Sequence, residues 1–284
     1  MNLNISQDSI EKDLRKIGLK EGDVVLVRAS LGAVGRINRK KFLQALLNVV
    51  GENGTIMSLS FTSSCLLWQM SNFPPFTKIT PSYAGPLPNT MLEHAGARRS
   101  EHPQCSFVAI GKYAEFLTAD HGPNSGAYEP IRKLIKQHGK MMLVGCVSGS
   151  PGFTTTHLAE VDLGLHRRVI APWLFVTPFI SKDGVIKTFY RKDPGLCSAS
   201  FWKFYSAYVR QGVLNANFIG HAYSIIADAS ECYAIEKAIL TINPKFNICE
   251  SPDCIACNLQ RWDRVHHWPI LLIRRMLGMH RGSK

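Results

Sequence analysis

Short apolar runs alternate with amphipathic stretches through most of this chain. In residues 6–17 apolar side chains fall at Ile10, Leu14 and Ile17, the spacing of a one-faced helix, with Ser6 placed to cap it and Gly18 to stop it. Residues 23–27 form a β-branched run that predicts a buried strand, and 40–50 return to helical spacing through Phe42, Leu43, Leu46, Leu47 and Val50. Further strands are predicted over 55–62, 106–110, 141–144, 173–180, 185–190, 213–218 and 222–227. Helices are predicted over 89–94, 112–117, 131–138, 201–211 and 229–243, the last ended by Pro244. Asp183-Gly184 between two alternating runs predicts a hairpin. This interleaving implies an α/β fold: a single domain with a mixed central sheet flanked by helices.

Two stretches break the pattern. Residues 63–88 have no period and hold Pro74, Pro75, Pro81, Pro86 and Pro88 among Trp68, Phe73, Phe76 and Tyr83, the character of a long binding loop. Arg98-Arg99-Ser100-Glu101-His102-Pro103 reads as a doubly basic turn, suited either to phosphate oxygens or simply to solvent.

The chain has 284 residues and a formal net charge of +12. Residues 258–284 carry Arg261, Arg264, Arg274, Arg275, Arg281 and Lys284 against Asp263, yet the body stays basic without them. Such a surface favours anionic partners such as nucleotides, phosphates or a membrane surface, or serves solubility alone. A nucleic-acid-binding protein is the reading from another class, but no aromatic-basic motif of a known module is present, so nucleic acid is not an expected partner. There is no apolar run of about eighteen residues and no basic-then-apolar leader, and the eight cysteines sit mostly in apolar contexts; a cytoplasmic protein with reduced thiols is expected.

Chemistry concentrates after the strand at 141–144. A Gly/Ser/Pro-rich turn leads to Thr154-Thr155-Thr156 and a new helix in which His157 and Glu160, three apart, share one face. A carboxylate beside a histidine fixes its tautomer and raises the basicity of the other nitrogen, as a general base requires; a histidine that merely packs a helix fits the same spacing. Cys146, close by, is either a nucleophile or a buried structural thiol, and the turn fits no nucleophile-elbow pattern. After the first strand, Ser30-Leu31-Gly32-Ala33-Val34-Gly35 is a small-residue turn whose amides could cradle a phosphate. Near the C-terminus, Cys249-x4-Cys254-x2-Cys257 followed by His266 and His267 has a Cys-x2-Cys knuckle and a Cys3His zinc site among its readings, although a fourth cysteine is missing from the run.

Arg28 to Gly35, Gly54-Thr55-Ile56-Met57, Arg99-Ser100-Glu101-His102-Pro103, Gly111, Met142-Leu143-Val144-Gly145, Thr155 to Glu160 and Ile219-Gly220-His221-Ala222 occur in an order that resembles the aminoglycoside 3-N-acetyltransferase family, over residues 6–243. That family includes acetyltransferases acting on nucleotide-linked amino sugars. The resemblance implies an acetyl-CoA-dependent N-acetyltransferase with its own α/β fold; no metal cofactor is expected. It implies that Ser30, Leu31, Gly32, Ala33, Val34 and Gly35 bind the coenzyme together with Arg99, Ser100 and His102. His157 would be the base, oriented by Glu160; apart from the resemblance, attack on a thioester needs an oxyanion donor, and a hydroxyl or amide beside His157, such as that of Thr155 or Thr156, could serve. The family usually has Asn-Thr or a similar pair ahead of the histidine, where this chain has Phe153-Thr154-Thr155-Thr156, and the stretches 63–88 and beyond 245 have no counterpart.

Because aminoglycosides are polycations and this chain is basic, the expected acceptor is a nucleotide-linked amino sugar for surface polysaccharide synthesis. The alternative is an aminoglycoside, conferring antibiotic resistance. The expected division is an acetyltransferase domain over 1–245 and a Cys-containing basic extension over 246–284. In the extension, the apolar and basic stretch 268–277 suits a membrane surface, a partner or the protein's own body, and a homo-oligomer is left open.

Overall fold

The computed structural model describes residues 5–165, 173–191, 197–251, 254, 257 and 273. In chain order the strands are β1 (Val24–Ala29), β2 (Thr55–Leu59), β3 (Cys65–Leu66), β4 (Arg98–Arg99), β5 (Phe107–Gly111), β6 (Lys140–Val144), β7 (Phe175–Ile180), β8 (Ile186–Tyr190), β9 (Leu214–Ile219) and β10 (Ala222–Asp228). The helices are α1 (Gln7–Lys16), α2 (Leu31–Val34), α3 (Arg39–Val50), α4 (Pro86–Leu92), α5 (Ala114–Thr118), α6 (Glu129–Lys136), α7 (Thr155–Asp162), α8 (Tyr205–Arg210) and α9 (Ala229–Ile242).

Among the described residues seven strands form one mixed sheet in the order β4-β5-β2-β1-β6-β10-β9. β1 lies at its centre, parallel to both β2 and β6. β5 and β10 run antiparallel beside them, and β9 pairs with β10. The central strands are apolar without alternation because both faces are covered. Leu26 and Leu143 face the layer of Ile131, Leu158, Tyr208 and Leu240; Val25, Val27 and Val144 face that of Ile10, Leu14, Phe42 and Leu46. Each such side chain, fully buried, contributes about 1.5–3 kcal/mol of transfer free energy, which holds the helical layers to the sheet.

The helix caps follow the sequence. Ser6 accepts from the Ser9 amide at 3.2 Å, and Asp228 accepts from the amides of Ser230 and Glu231 at 2.8 and 3.1 Å. Four departures have physical reasons. The turn over 30–35 contains a helical turn, α2, because Leu31 and Val34 turn inward to the core. α4 starts three residues before the expected Asn89, because Pro86 and Pro88 occupy its first turn, where a missing N–H costs nothing. Arg98-Arg99 forms an edge strand on β5, with Arg98 pointing out and Arg99 in. The stretch 63–88 is organised: β3 joins the β7–β8 hairpin in a separate three-stranded antiparallel sheet, and the Phe76 amide donates to the Pro178 carbonyl at 2.7 Å. Among the described residues no helix is long and apolar enough to cross a membrane. The stretch 268–277, apart from Ile273, lies outside the described residues.

Candidate active site

Three parallel strands, β2, β1 and β6, end side by side, and the chain turns away differently after each. A crevice at the carboxyl ends of such strands is where α/β sheets bind ligands. Here a cleft of about 570 Å³ is lined by Arg28, Ala29 and Ser30 from the end of β1, Ser58 and Leu59 from β2, and Cys146 just past β6. Tyr83 from the chain before α4 and Tyr128, Thr154, His157, Arg191 and Phe201 complete much of its wall.

The turn from β6 to α7 is braced from two sides. Arg28 donates to the Gly152 carbonyl at 2.8 Å and to the Ser150 carbonyl at 3.0 Å. The Tyr205 hydroxyl donates to the Val147 carbonyl at 2.9 Å and accepts from the Gly152 amide at 2.7 Å. Gly152 has φ of +77°, and a Cβ there would stand 2.1 Å from the Cβ of Phe201, so only glycine lets the turn close on that ring. This bracing sets the start of α7 and therefore where His157 points.

On α7 the His157 Nδ1 lies 3.0 Å from a Glu160 carboxylate oxygen, and Asn247 donates to the other oxygen at 2.6 Å. Glu160 is buried, as is Asn247. The imidazole lies between two aromatic rings, stacked on Tyr128 with centroids 5.0 Å apart and edge-on to Phe201 at 4.7 Å. The chain thus holds a three-member relay, Asn247 to Glu160 to His157, whose last member faces the cleft. A carboxylate held in this way accepts one imidazole N–H and stabilises the imidazolium formed when the other nitrogen takes a proton.

The other expected site residues divide. Ser30 lines the cleft, but Leu31 and Val34 are core residues and Gly32 and Ala33 face solvent. Gly35 packs where a Cβ would meet Ile5 at 2.6 Å and His221 at 2.9 Å, so its smallness serves packing rather than ligand approach. Thr155 and Thr156 are fully buried and donate to Glu236 at 2.9 and 2.8 Å, on the side of α7 away from the cleft; Thr154 is the threonine that lines it. The oxyanion role expected of Thr155 or Thr156 is therefore corrected. So is the phosphate clamp. Arg99 is turned inward by the strand alternation, donates to the carbonyls of Ser60 and Lys78 at 2.8 and 3.2 Å, to the Thr80 carbonyl and to the Ser106 hydroxyl, and stacks on Phe76. Burial lowers its pKa to about 10. It fastens the 63–88 segment to the sheet. Ser100 accepts from the Phe107 amide at 2.9 Å, and His102 accepts from the Cys105 amide at 2.9 Å while stacking on His121, so neither belongs to the cleft.

Cys146 lies in the cleft wall, where its thiol donates to the Arg28 carbonyl at 3.4 Å and burial raises its pKa, against the pull of the Arg28 charge. Both observations fit a structural thiol rather than a nucleophile. Arg28, Tyr128, Arg191, Phe201 and Asn247 were not expected at the site. Arg28 opens the first block of the resemblance and gave a signal; Asn247 lies in the expected extension and gave none.

The family model described as "Aminoglycoside 3-N-acetyltransferase" matches residues 26–241. An aminoglycoside N(3)-acetyltransferase III of Salmonella sp is 29% identical over 229 residues, covering 74% of this chain and 73% of its own length. Aminoglycoside N(3)-acetyltransferase VII of Streptomyces paromomycinus is 31% identical over 179 residues, covering 55% of this chain and 60% of its own length. Among solved structures, AAC-IIIb in binary complex with CoASH superposes with a TM-score of 0.72 at 25% identity, over 84% of this chain and 97% of that one. The expected leaning toward nucleotide-linked sugars has no counterpart in these names, which describe aminoglycoside enzymes. With the strand order, the cleft at the strand ends and the family match over most of its length in agreement, the chain belongs to the aminoglycoside 3-N-acetyltransferase family of acyltransferases.

Proposed function

We propose that this protein transfers the acetyl group of acetyl-CoA to a primary amine of an amino sugar, with His157 as general base. The observation that carries the reading is the Asn247–Glu160–His157 relay at the wall of the cleft. A thioester is already activated, so the chain must deprotonate an ammonium, hold the amine against the carbonyl and tolerate the oxyanion that forms. His157 takes the ammonium proton on the nitrogen not held by Glu160, and the amine nitrogen bonds to the acetyl carbon. The tetrahedral intermediate then expels the coenzyme thiolate, which takes up a proton as the amide is released. Tyr128 and Phe201 fix the plane of the imidazole, and no acyl-enzyme is formed. Use of acetyl-CoA places the proposed activity in the cytoplasm.

The acceptor best supported is an aminoglycoside, because the relatives are named for that activity and AAC-VIa, of the same fold, was solved bound to sisomicin. A specific observation favours a second reading. The described lining of the cleft includes Arg28 and Arg191 and no carboxylate, a lining that suits an anionic, nucleotide-linked amino sugar better than a polycation. Thiol release from acetyl-CoA, measured with sisomicin and kanamycin-type drugs in one arm and UDP- and dTDP-linked amino sugars in the other, separates them. Acetylation of the drugs alone supports the first reading and of the nucleotide sugars alone the second. No turnover with any amine, or full turnover by His157→Ala, would overturn the proposal.

A further inference from the structure

Four cysteines that the sequence scatters are brought together. The Sγ atoms of Cys197, Cys249, Cys254 and Cys257 all lie within 4.8 Å of one another. The C-terminal run supplies three of them; the fourth comes from the connection between β8 and the helical turn at Phe201–Phe204, not from His266 or His267, which are outside the described residues. Cys249 and Cys257 are buried, and with Ile248 they form a small apolar cluster apart from the two main core layers. We infer that Cys197, Cys249, Cys254 and Cys257 bind one zinc ion, which fastens the chain after residue 245 beside the His157 relay.

The geometry fits the ion. Zinc at about 2.3 Å from each of four thiolates in a tetrahedron sets the sulfurs about 3.8 Å apart, and a closed four-thiolate set is the signature of a structural site. Four sulfurs mutually close, two of them in a Cys-x2-Cys knuckle, form a cage rather than two disulfide pairs. A zinc ion with four thiolates carries net negative charge, and the Lys203 ammonium stands close by, donating to the Ile248 carbonyl at 3.2 Å.

Placement explains what such a site does here. Asn247, which holds Glu160, lies two residues before Cys249, and Phe201, which packs on His157, lies four residues after Cys197. The ion ties together the two segments that touch the relay, one at Glu160 and one at His157. Asn247 is a positioning residue, and the zinc site is its anchor. This consequence rests on the proposed acetyl transfer; the metal site itself does not.

The test begins with the full chain purified without added metal. Elemental analysis should find about one zinc per chain, and zinc-edge X-ray absorption should report four sulfur neighbours at about 2.3 Å. Stripping the ion with a mercurial reagent, followed by thiol, should lower kcat at least tenfold with the acetyl-CoA KM little changed, and zinc should restore it. Cys197→Ser should lose most of the zinc while Cys65→Ser, on the separate small sheet, keeps it. Absence of stoichiometric metal, iron in place of zinc, nitrogen or oxygen neighbours in the first shell, or a disulfide between any two of the four would overturn the site; none of these readouts requires turnover. Zinc present with no acetyl transfer would instead overturn the proposed function and leave the site standing.

Discussion

Glu236 on α9 is buried completely, and its environment makes a measurable demand on pH. Thr155, Thr156 and Tyr208 all donate to one carboxyl oxygen, while the other has no hydrogen-bond partner among the described residues. Burial dominates and raises the pKa from 4.5 to about 8, against the three hydrogen bonds that favour the charged form; the Glu160 charge adds to the rise. The folded state therefore keeps this carboxyl protonated at pH values where the unfolded chain has released the proton. Between 4.5 and about 8 the native state binds more protons, so stability falls as pH rises through that window. Below pH 6.5 a second group works in the opposite sense. Burial, then the neighbouring His102, pushes His121 down to about 3, so acidification from 6.5 favours the unfolded chain. The two effects separate above pH 6.5, where His121 is neutral in both states.

From pH 6.5 to 8.5, ionisation of Glu236 should cost about 2 kcal/mol of folding stability, from 1.36 kcal/mol per pH unit applied up to a pKa of about 8. Glu236→Gln has the same shape and no charge to release, and its amide oxygen can accept from the three hydroxyls. Across that interval it should lose about 2 kcal/mol less than wild type, since the cysteine cluster contributes equally to both. At pH 6.5 it should fall about 1 kcal/mol below wild type, because a buried N–H is now unpartnered, and at pH 8.5 it should equal or exceed it. Urea unfolding at half-unit steps of pH, followed by tryptophan fluorescence, gives both curves. Equal slopes in wild type and variant would refute the assignment, and a wild-type curve that rises more steeply with pH than the variant's would refute the sign.

Four further outcomes test other parts of the structure. His157→Ala should lower kcat by about 10²- to 10⁴-fold with folding retained, measured as thiol release from acetyl-CoA; a loss under tenfold would remove it as base. Asn247→Ala should lower kcat by about tenfold with little change in KM, since it releases Glu160 without touching the imidazole. Arg99→Ala should destabilise the fold by about 3 kcal/mol, because it strands the buried Ser60 carbonyl and the part-buried carbonyls of Lys78 and Thr80, and should leave the acetyl-CoA KM alone; a raised KM at unchanged stability would return Arg99 to the coenzyme. Cys146→Ala should retain activity at a stability cost of about 1 kcal/mol, and abolition of activity in a folded variant would make the thiol a nucleophile.

What the sequence made legible follows from how local each signal is. β1 and β6 could be read from their apolar runs, and the His157–Glu160 pair from its spacing, because helix geometry alone brings residues three apart onto one face. Arg99 misled for the opposite reason. Two adjacent arginines look alike in a sequence, and only pairing with β5 decides that one faces water and the other the interior. Thr155 and Thr156 misled similarly, since residues two and one before His157 sit about 200° and 100° round the helix from it, and those rotations carry their hydroxyls to Glu236. Asn247 and Cys197 lay beyond reach because each meets its partner across dozens of residues with no motif to announce it. They also make contacts that cross the expected division at residue 245. A segment that places a buried amide on the Glu160 carboxylate, two residues ahead of a thiol cage closed by the body's own Cys197, packs as part of the cleft wall's support, so under the proposed function its removal should lower kcat before it unfolds the body, read as thiol release beside urea unfolding.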